Sequence, residues 1–136
     1  MQEKFEIWQC PVCGNIVEGV HAGGGTLVCC GEPMVQMVEN TTDAAQEKHL
    51  PVFHKEGNVV KITVGSVPHP MTAEHFIEWI EICTDTRSQR KYLKPGDAPE
   101  AEFCCPPCCS AAAASATPRV RAYCNLHGLW ESRPNL

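Results

Sequence analysis

The sequence predicts a mainly β protein in two parts, a small metal-bound β domain over residues 1–38 and an antiparallel β-sandwich over residues 39–136. Two observations lead there. The first is a pair of cysteine clusters, Cys10-Pro11-Val12-Cys13 and Cys29-Cys30, in a segment of roughly 35 residues, which is too short to bury much core and for which a metal is the expected staple. The second is a succession of short runs rich in Val, Ile and aromatic residues, separated by Gly- and Pro-containing turns, the pattern of an antiparallel sandwich.

Taken in order, the C-x-x-C knuckle is followed by Gly14, which lets backbone amides turn toward the sulfurs, and it pairs with Cys29-Cys30 into a four-thiolate site. Between them, residues 15–18 read as a short strand, Gly23-Gly24-Gly25 as a tight turn and residues 26–28 as the returning strand. Spacing alone favours a structural zinc ribbon. The vicinal Cys29-Cys30 pair tells against it, because neighbouring strand residues point to opposite faces and must strain to reach one ion. Asp43 stands three residues before Gln46, a capping-box arrangement that predicts a short helix or turn within 39–48 linking the two domains, with His49 immediately after. Residues 50–53 and 59–64 read as a hairpin across Glu56-Gly57-Asn58. Pro68 and Pro70 keep the backbone around His69 extended, on a stiff loop. Residues 76–83 are ambiguous, since Phe76, Ile80 and Cys83 would also line one helix face, while the Ile and Trp content favours a strand. Residues 89–93 form another strand, Pro95-Gly96-Asp97 a turn, and a closing strand delivers Cys124 and His127.

Composition narrows the function. Eleven basic against sixteen acidic residues give a formal net charge of -5, which argues against nucleic acid, whose binding is driven by neutralising phosphates. The N-terminus lacks a charged region followed by an apolar run, and no apolar stretch is long enough to span a bilayer, so a cytoplasmic protein with no membrane partner is expected. In that reducing compartment, ten cysteines at ligand spacing are metal-bound or catalytic rather than a disulfide framework.

Four histidines and a cysteine, His49, His69, His75, Cys124 and His127, occupy the most constrained stretches: EKHLPV, GSVPHPM, TAEHFIEW and YCNLHGLW. Imidazole nitrogens with one thiolate suit a first-row transition metal such as iron, and five protein donors leave one octahedral position open for chemistry.

These strings carry a resemblance. WQCPVCGNIVEGVHAGGGTLVCCGEPM resembles the desulforedoxin-like iron domain, and EKHLPVF, KITVGSVPHPM, HFIEWIE, YLKPGDAPEAEF and YCNLHGLW resemble the desulfoferrodoxins, two-iron superoxide reductases, over nearly the whole chain and in the expected order. The resemblance implies an immunoglobulin-like sandwich and resolves residues 76–83 as a strand. It implies two iron ions per chain, one held by Cys10, Cys13, Cys29 and Cys30, the other by His49, His69, His75 and His127 in a plane with Cys124 axial. It implies one-electron reduction of superoxide to hydrogen peroxide opposite the sulfur, for superoxide detoxification, with electrons from a rubredoxin-like donor, in a homodimer. Lys48 is then the cation that draws in the anion, and Glu47 the group that closes on ferric iron after turnover.

Other residues have plainer readings. Residues 104–117, CCPPCCSAAAASAT, depart from the family and read as an inserted irregular loop. His21 and His54 lie outside the matching strings, and Cys83, Met34 and Met37 read as core. Trp8, Trp79 and Trp130 read as packing groups, with Trp79, four residues after His75, placed to wall the metal from water. Two rival functions remain at this level, a non-enzymatic iron electron carrier and a zinc-stabilised binding module.

Overall fold

A computed structural model describes residues 1, 3–84, 86–104 and 118–133. The inserted loop expected at 104–117 therefore lies outside the described residues, apart from Cys104 at the end of a strand. The chain divides into two compact units, Met1–Val38 and Glu39–Leu136.

In the first unit, strands β1 (Ile7–Gln9) and β2 (Ile16–Glu18) form an antiparallel hairpin around the knuckle, and β5 (Val35–Met37) pairs along the other edge of β1. The knuckle closes this hairpin through a 2.8 Å bond from the Cys10 amide to the Asn15 carbonyl, with Gly14 at φ 82 making the left-handed step that a side chain would resist. A separate two-residue ladder joins β3 (Val28–Cys29) to β4 (Glu32–Pro33). The expected hairpin between residues 15–18 and 26–28 does not form. Residues 5–9 take the place beside β2, with the Phe5 and Gly19 amides bonded to the Gly19 and Glu6 carbonyls. The knuckle closes a far shorter loop than the Gly-rich segment would, at lower entropic cost. Among the described residues of this unit, only Ile7, Cys10 and Met34 are buried apolar groups.

The second unit begins with α1 (Gln46–His49), a single turn. Its N-cap is Ala45 and no side chain caps it, so the Asp43 box is not formed, and His49 sits inside the turn rather than after it. Two sheets follow: β10-β7-β6, from β6 (Pro51–Glu56), β7 (Val59–Val64) and β10 (Glu100–Cys104), and β12-β11-β8-β9, from β8 (Ile77–Cys83), β9 (Ser88–Tyr92), β11 (Arg119–Cys124) and β12 (Gly128–Ser132). Every pairing is antiparallel, and the core between the sheets takes Val60, Ile62 and Val64 from β7, Ile77 and Ile80 from β8, Phe103 from β10, and Val120 and Ala122 from β11. This is the expected sandwich. Strands β10 and β12 were not separated in the sequence, where β10 carries only two apolar residues before Cys104 and β12 runs on directly from the ligand motif.

The helix face suggested by Phe76, Ile80 and Cys83 does not form, since of the three only Ile80 joins the core between the sheets, but residues 76–83 do depart from strict strand alternation. Tyr123 pairs with Trp79 and Cys124 with Ile77, which leaves Glu78 as an extra residue on β8. This bulge lets Ile77 and Ile80, three apart, both enter the core, mimicking a helical period on a strand.

On the other face of the same sheet, Arg121 and Glu81 are fully buried and paired at 2.8 Å, with Arg90 reaching Glu81 at 3.2 Å. Removing one member of a buried pair strands the other charge. Glu81→Ala is therefore expected to lower the unfolding free energy of the second unit by about 3 kcal/mol or more. Urea denaturation followed by the fluorescence of the tryptophans measures it, and a loss under about 1 kcal/mol would show that the pair is replaceable.

Candidate metal centres

Four separate pieces of backbone bring the five candidate donors of the second unit together. α1 supplies His49, the β7–β8 connection supplies His69 and His75, the end of β11 supplies Cys124, and the turn before β12 supplies His127. Their ligand atoms all lie within 4.8 Å of one another. α1 approaches the end of β7 so closely that a Cβ on Gly65 would stand 2.9 Å from the Lys48 carbonyl carbon. The Glu47 carbonyl accepts bonds from the Val67 amide (3.0 Å) and the Ser66 hydroxyl (3.2 Å), which fasten the turn in place.

The imidazoles form a square. Neighbouring rings, taken in the order His49, His69, His75, His127, have centroids 4.7, 4.6, 4.9 and 4.8 Å apart at interplanar angles of 75° to 90°, whereas the diagonal His49–His75 is 6.4 Å. A tetrahedral set would have equal separations. Four nitrogens in a square plus a sulfur suit an ion of higher coordination number than structural zinc.

Tautomers and charge follow from the partners. His49 Nδ1 lies 2.7 Å from the Ala45 carbonyl and His69 Nδ1 2.7 Å from that of Pro70; a carbonyl only accepts, so both protons sit on Nδ1 and both Nε2 atoms present lone pairs inward. Burial holds these rings neutral, lowering His49 and bringing His69 down to about 4, and it lowers His75 as well. The lone pairs of His49 and His69 nevertheless face each other at 3.2 Å, and the buried His75 Nε2 has no hydrogen-bond partner among the described residues. Only a cation among them resolves that repulsion, so the residues fit a metal. Cys124 is fully buried, and burial pushes its thiol up, against the opposing effect of the Leu126 and His127 amides directed at the sulfur. A bound cation is what would make it a thiolate.

Trp130 walls this site. Its ring stacks on His49 at 4.9 Å and 27°, and its indole N–H donates to the His127 carbonyl at 3.1 Å. Trp79, expected in that place, instead stacks on Tyr123 beneath the Arg90 guanidinium, because the Glu78 bulge sends Ile77 inward and Trp79 to the opposite face. Lys48 is half-buried and its charge opposes protonation of both His49 and His75, while Glu47 is exposed. His21 and His54 are exposed and stand apart from this group of donors. Cys83 and Met34 are buried, and Met37 is half-buried.

In the first unit Cys10, Cys13, Cys29 and Cys30 also converge. Cys13 Sγ and Cys29 Sγ are 3.7 Å apart, and the Val12 and Cys13 amides both point at Cys10 Sγ from 3.4 Å. The Cys13 amide is the main reason the Cys10 thiol falls to about 6, while the neighbouring sulfurs, Cys13 first, push Cys30 up to about 12. Four sulfurs within 4.8 Å of one another, one of them facing two amide N–H groups, fit a shared cation. The strain expected of the vicinal pair is taken up by the backbone. β3 ends at Cys29, and Cys30 turns into the left-handed region at φ 53, followed by Gly31 at φ 75, which swings both sulfurs to one side.

Fold and donor sets define a two-centre metalloprotein with an antiparallel sandwich. Comparison with known proteins gives its family: the desulfoferrodoxin N-terminal domain matches residues 2–37 and the desulfoferrodoxin domain residues 41–133. The chain belongs to the desulfoferrodoxin family. It is 56% identical to a desulfoferrodoxin from Nitratidesulfovibrio vulgaris, over 97% of this chain and 98% of that one, and 54% identical to a desulfoferrodoxin homologue from Archaeoglobus fulgidus, over 97% and 99%. Among solved structures, the superoxide reductase from Treponema pallidum superposes with a TM-score of 0.70 at 32% identity, covering 98% of this chain and 100% of that one.

Several contributors were not legible in the sequence. The carbonyls of Ala45 and Pro70 orient two histidines yet carry no residue signature, and Gly65 looks like any turn glycine. Asn125, an amide wedged between two donors in Cys124-Asn125-Leu126-His127, was the one visible signal.

The two cysteine-bearing sites are expected to be separable in function. Cys13→Ser should abolish the four-thiolate absorption in the visible and loosen the first unit, while the metal content of the histidine site, measured by elemental analysis, stays at the wild-type level. Joint loss of both metals would contradict independent sites.

Proposed function

We propose that the chain is a superoxide reductase, an oxidoreductase that converts superoxide to hydrogen peroxide at iron held by His49, His69, His75, His127 and Cys124. One electron and two protons per superoxide yield one hydrogen peroxide, and no dioxygen is formed. The observation that carries the reading is the square of four imidazoles with a buried cysteine beside it, a five-donor set one short of an octahedron. Iron bound there supplies the single electron and a Lewis-acidic position for the anion.

The protein supplies the rest. The Ala45 and Pro70 carbonyls keep His49 and His69 in the tautomer that directs Nε2 inward. Trp130 covers one edge against water. On a chain of net charge -5, an anionic substrate needs a local positive field, and the Lys48 ammonium beside His49 and His75 provides it. Glu47, exposed on the same turn as His49, is the carboxylate we assign as a further donor that iron held by these residues would take up after turnover, a role that rests on the family resemblance. The four cysteines of the first unit bind the second iron, and a rubredoxin-like protein is the reductant. Cysteines kept free for a metal suit a reducing compartment, which supports a cytoplasmic protein.

The steering role has a direct test. Lys48→Ala should slow the second-order reaction with superoxide by about one order of magnitude and flatten its dependence on ionic strength. Glu47→Ala should leave that encounter rate nearly unchanged and alter only the later ferric species. Pulse radiolysis across a salt series reads both, and equal salt slopes for wild type and Lys48→Ala would remove Lys48 from the mechanism.

The same reading includes a homodimer formed through the first unit. What supports it is the exposure of Val12, Val17, Val20, Val28, Val35 and Val38 on a unit with little core of its own. Light scattering at micromolar concentration should give twice the chain mass, whereas a monomeric mass would exclude the assembly.

A further inference from the structure

Each histidine of the square needs something to hold its ring, and His75 is the exception. His49 and His69 are fixed by carbonyls, and His127 lies three residues from Cys124 with its own carbonyl held by Trp130. The His75 ring has no hydrogen-bond partner among the described residues, and its inward Nε2 is buried. Its position must come from the backbone that carries it. That backbone is a tight turn in which the Thr72 and His75 amides each bond the other residue's carbonyl, at 2.9 and 3.2 Å, with the Thr72 hydroxyl also accepting from the His75 amide at 3.1 Å.

The turn is rigid within itself but has to be registered against the other donors, and one side chain does this. The Phe76 amide donates to Asn125 Oδ1 at 2.9 Å, Asn125 Nδ2 donates to the Glu74 carbonyl at 3.0 Å, and the Asn125 amide donates to the Phe76 carbonyl at 3.2 Å. The residues immediately before and after His75 are thus clamped by the residue immediately after Cys124. An amide is the side chain suited to this position, since one partner is an N–H and the other a C=O, and the geometry requires an acceptor and a donor on adjacent atoms.

We propose that Asn125 is the positioning residue of the histidine–cysteine centre, locking His75 to the Cys124–His127 segment without itself touching the metal or the substrate. This deepens the reading above and rests on it only for there being a metal at the centre, not for the reaction with superoxide. Loss of an outer hydrogen-bond partner of a metal ligand weakens metal binding by about 10- to 100-fold. Asn125→Ala removes both side-chain bonds, whereas Asn125→Asp keeps the acceptor for Phe76 and loses the donor to Glu74.

The experiment is ferrous iron titration of the metal-depleted full chain, with the visible and electron paramagnetic resonance spectra of the oxidised, reloaded protein as a second readout. Asn125→Ala is expected to bind the histidine-site iron about 10- to 100-fold more weakly and to broaden its spectra through variable placement of His75, with Asn125→Asp intermediate. The four-cysteine spectrum should be unchanged in both. Wild-type affinity and unaltered spectra in Asn125→Ala would overturn the proposal even if its melting temperature fell, since that pattern belongs to a purely structural residue. If Asn125→Ala does not fold, the folded Asn125→Asp decides by the same two readouts. Failure of the wild type itself to take iron at this site would overturn the metal reading and this inference with it, whereas tight binding by wild type and both variants overturns this inference alone.

Discussion

Two imidazole nitrogens face each other at 3.2 Å, His49 Nε2 and His69 Nε2, each with its proton already committed to a carbonyl on the far side of the ring. Lone pairs at that distance repel, and the burial that keeps both rings neutral removes the water that would otherwise screen them. The arrangement makes physical sense only around a cation, and much of the second unit is organised to impose it. A structural histidine pair would settle into a donor–acceptor hydrogen bond, but the Ala45 and Pro70 carbonyls deny these two rings that option.

The sandwich supplies the rigidity for this. β7 and β11 place Val64 and Cys124 in a common core, so the loops that follow them start from fixed points. The His69 amide returns to the Val64 carbonyl at 2.9 Å, the α1 turn is held against Gly65 by backbone proximity, and the bulge at Glu78 fixes where β8 begins after the His75 turn. Ligands carried on short, doubly anchored loops lose little conformational freedom when a metal binds, which favours affinity. The buried Arg121–Glu81 pair lies on the opposite face of the same sheet, so its contribution is to the scaffold rather than to the chemistry.

The electrostatics work at two ranges. Overall the chain is acidic, and at a distance it repels a small anion; locally the half-buried Lys48 ammonium acts the other way, its charge reaching His49 and His75 well within a Debye length of about 10 Å. Keeping the histidines neutral matters here as well. Charged imidazoles would attract the anion but could not bind the metal. The first unit handles charge differently, aiming the Val12 and Cys13 amide N–H groups at the sulfur of the buried Cys10 while Cys13 and Cys30 stay exposed.

The sequence by itself determined the inventory: the nine donors, the mainly β class and the hairpin at 50–64 could be read because Cys-x-x-Cys spacing, Pro-bracketed His69 and alternating β-branched runs are local signals, whereas the turn before the sandwich forms without the Asp43 cap that pointed to it. Tertiary structure decided what depends on partners distant in the chain. Residues 16–18 pair with the N-terminal segment instead of with 26–28, because two candidate strands competed and the shorter loop won. Cys29 and Cys30 reach one site because the backbone turns left-handed at Cys30, a choice invisible in the letters. Trp130 rather than Trp79 covers His49, because a bulge on β8 reversed which face its tryptophan occupies. The tautomers of His49 and His69, and the clamp of Asn125 on the His75 turn, depend on backbone carbonyls and amides, groups that every residue carries and that only folding can aim.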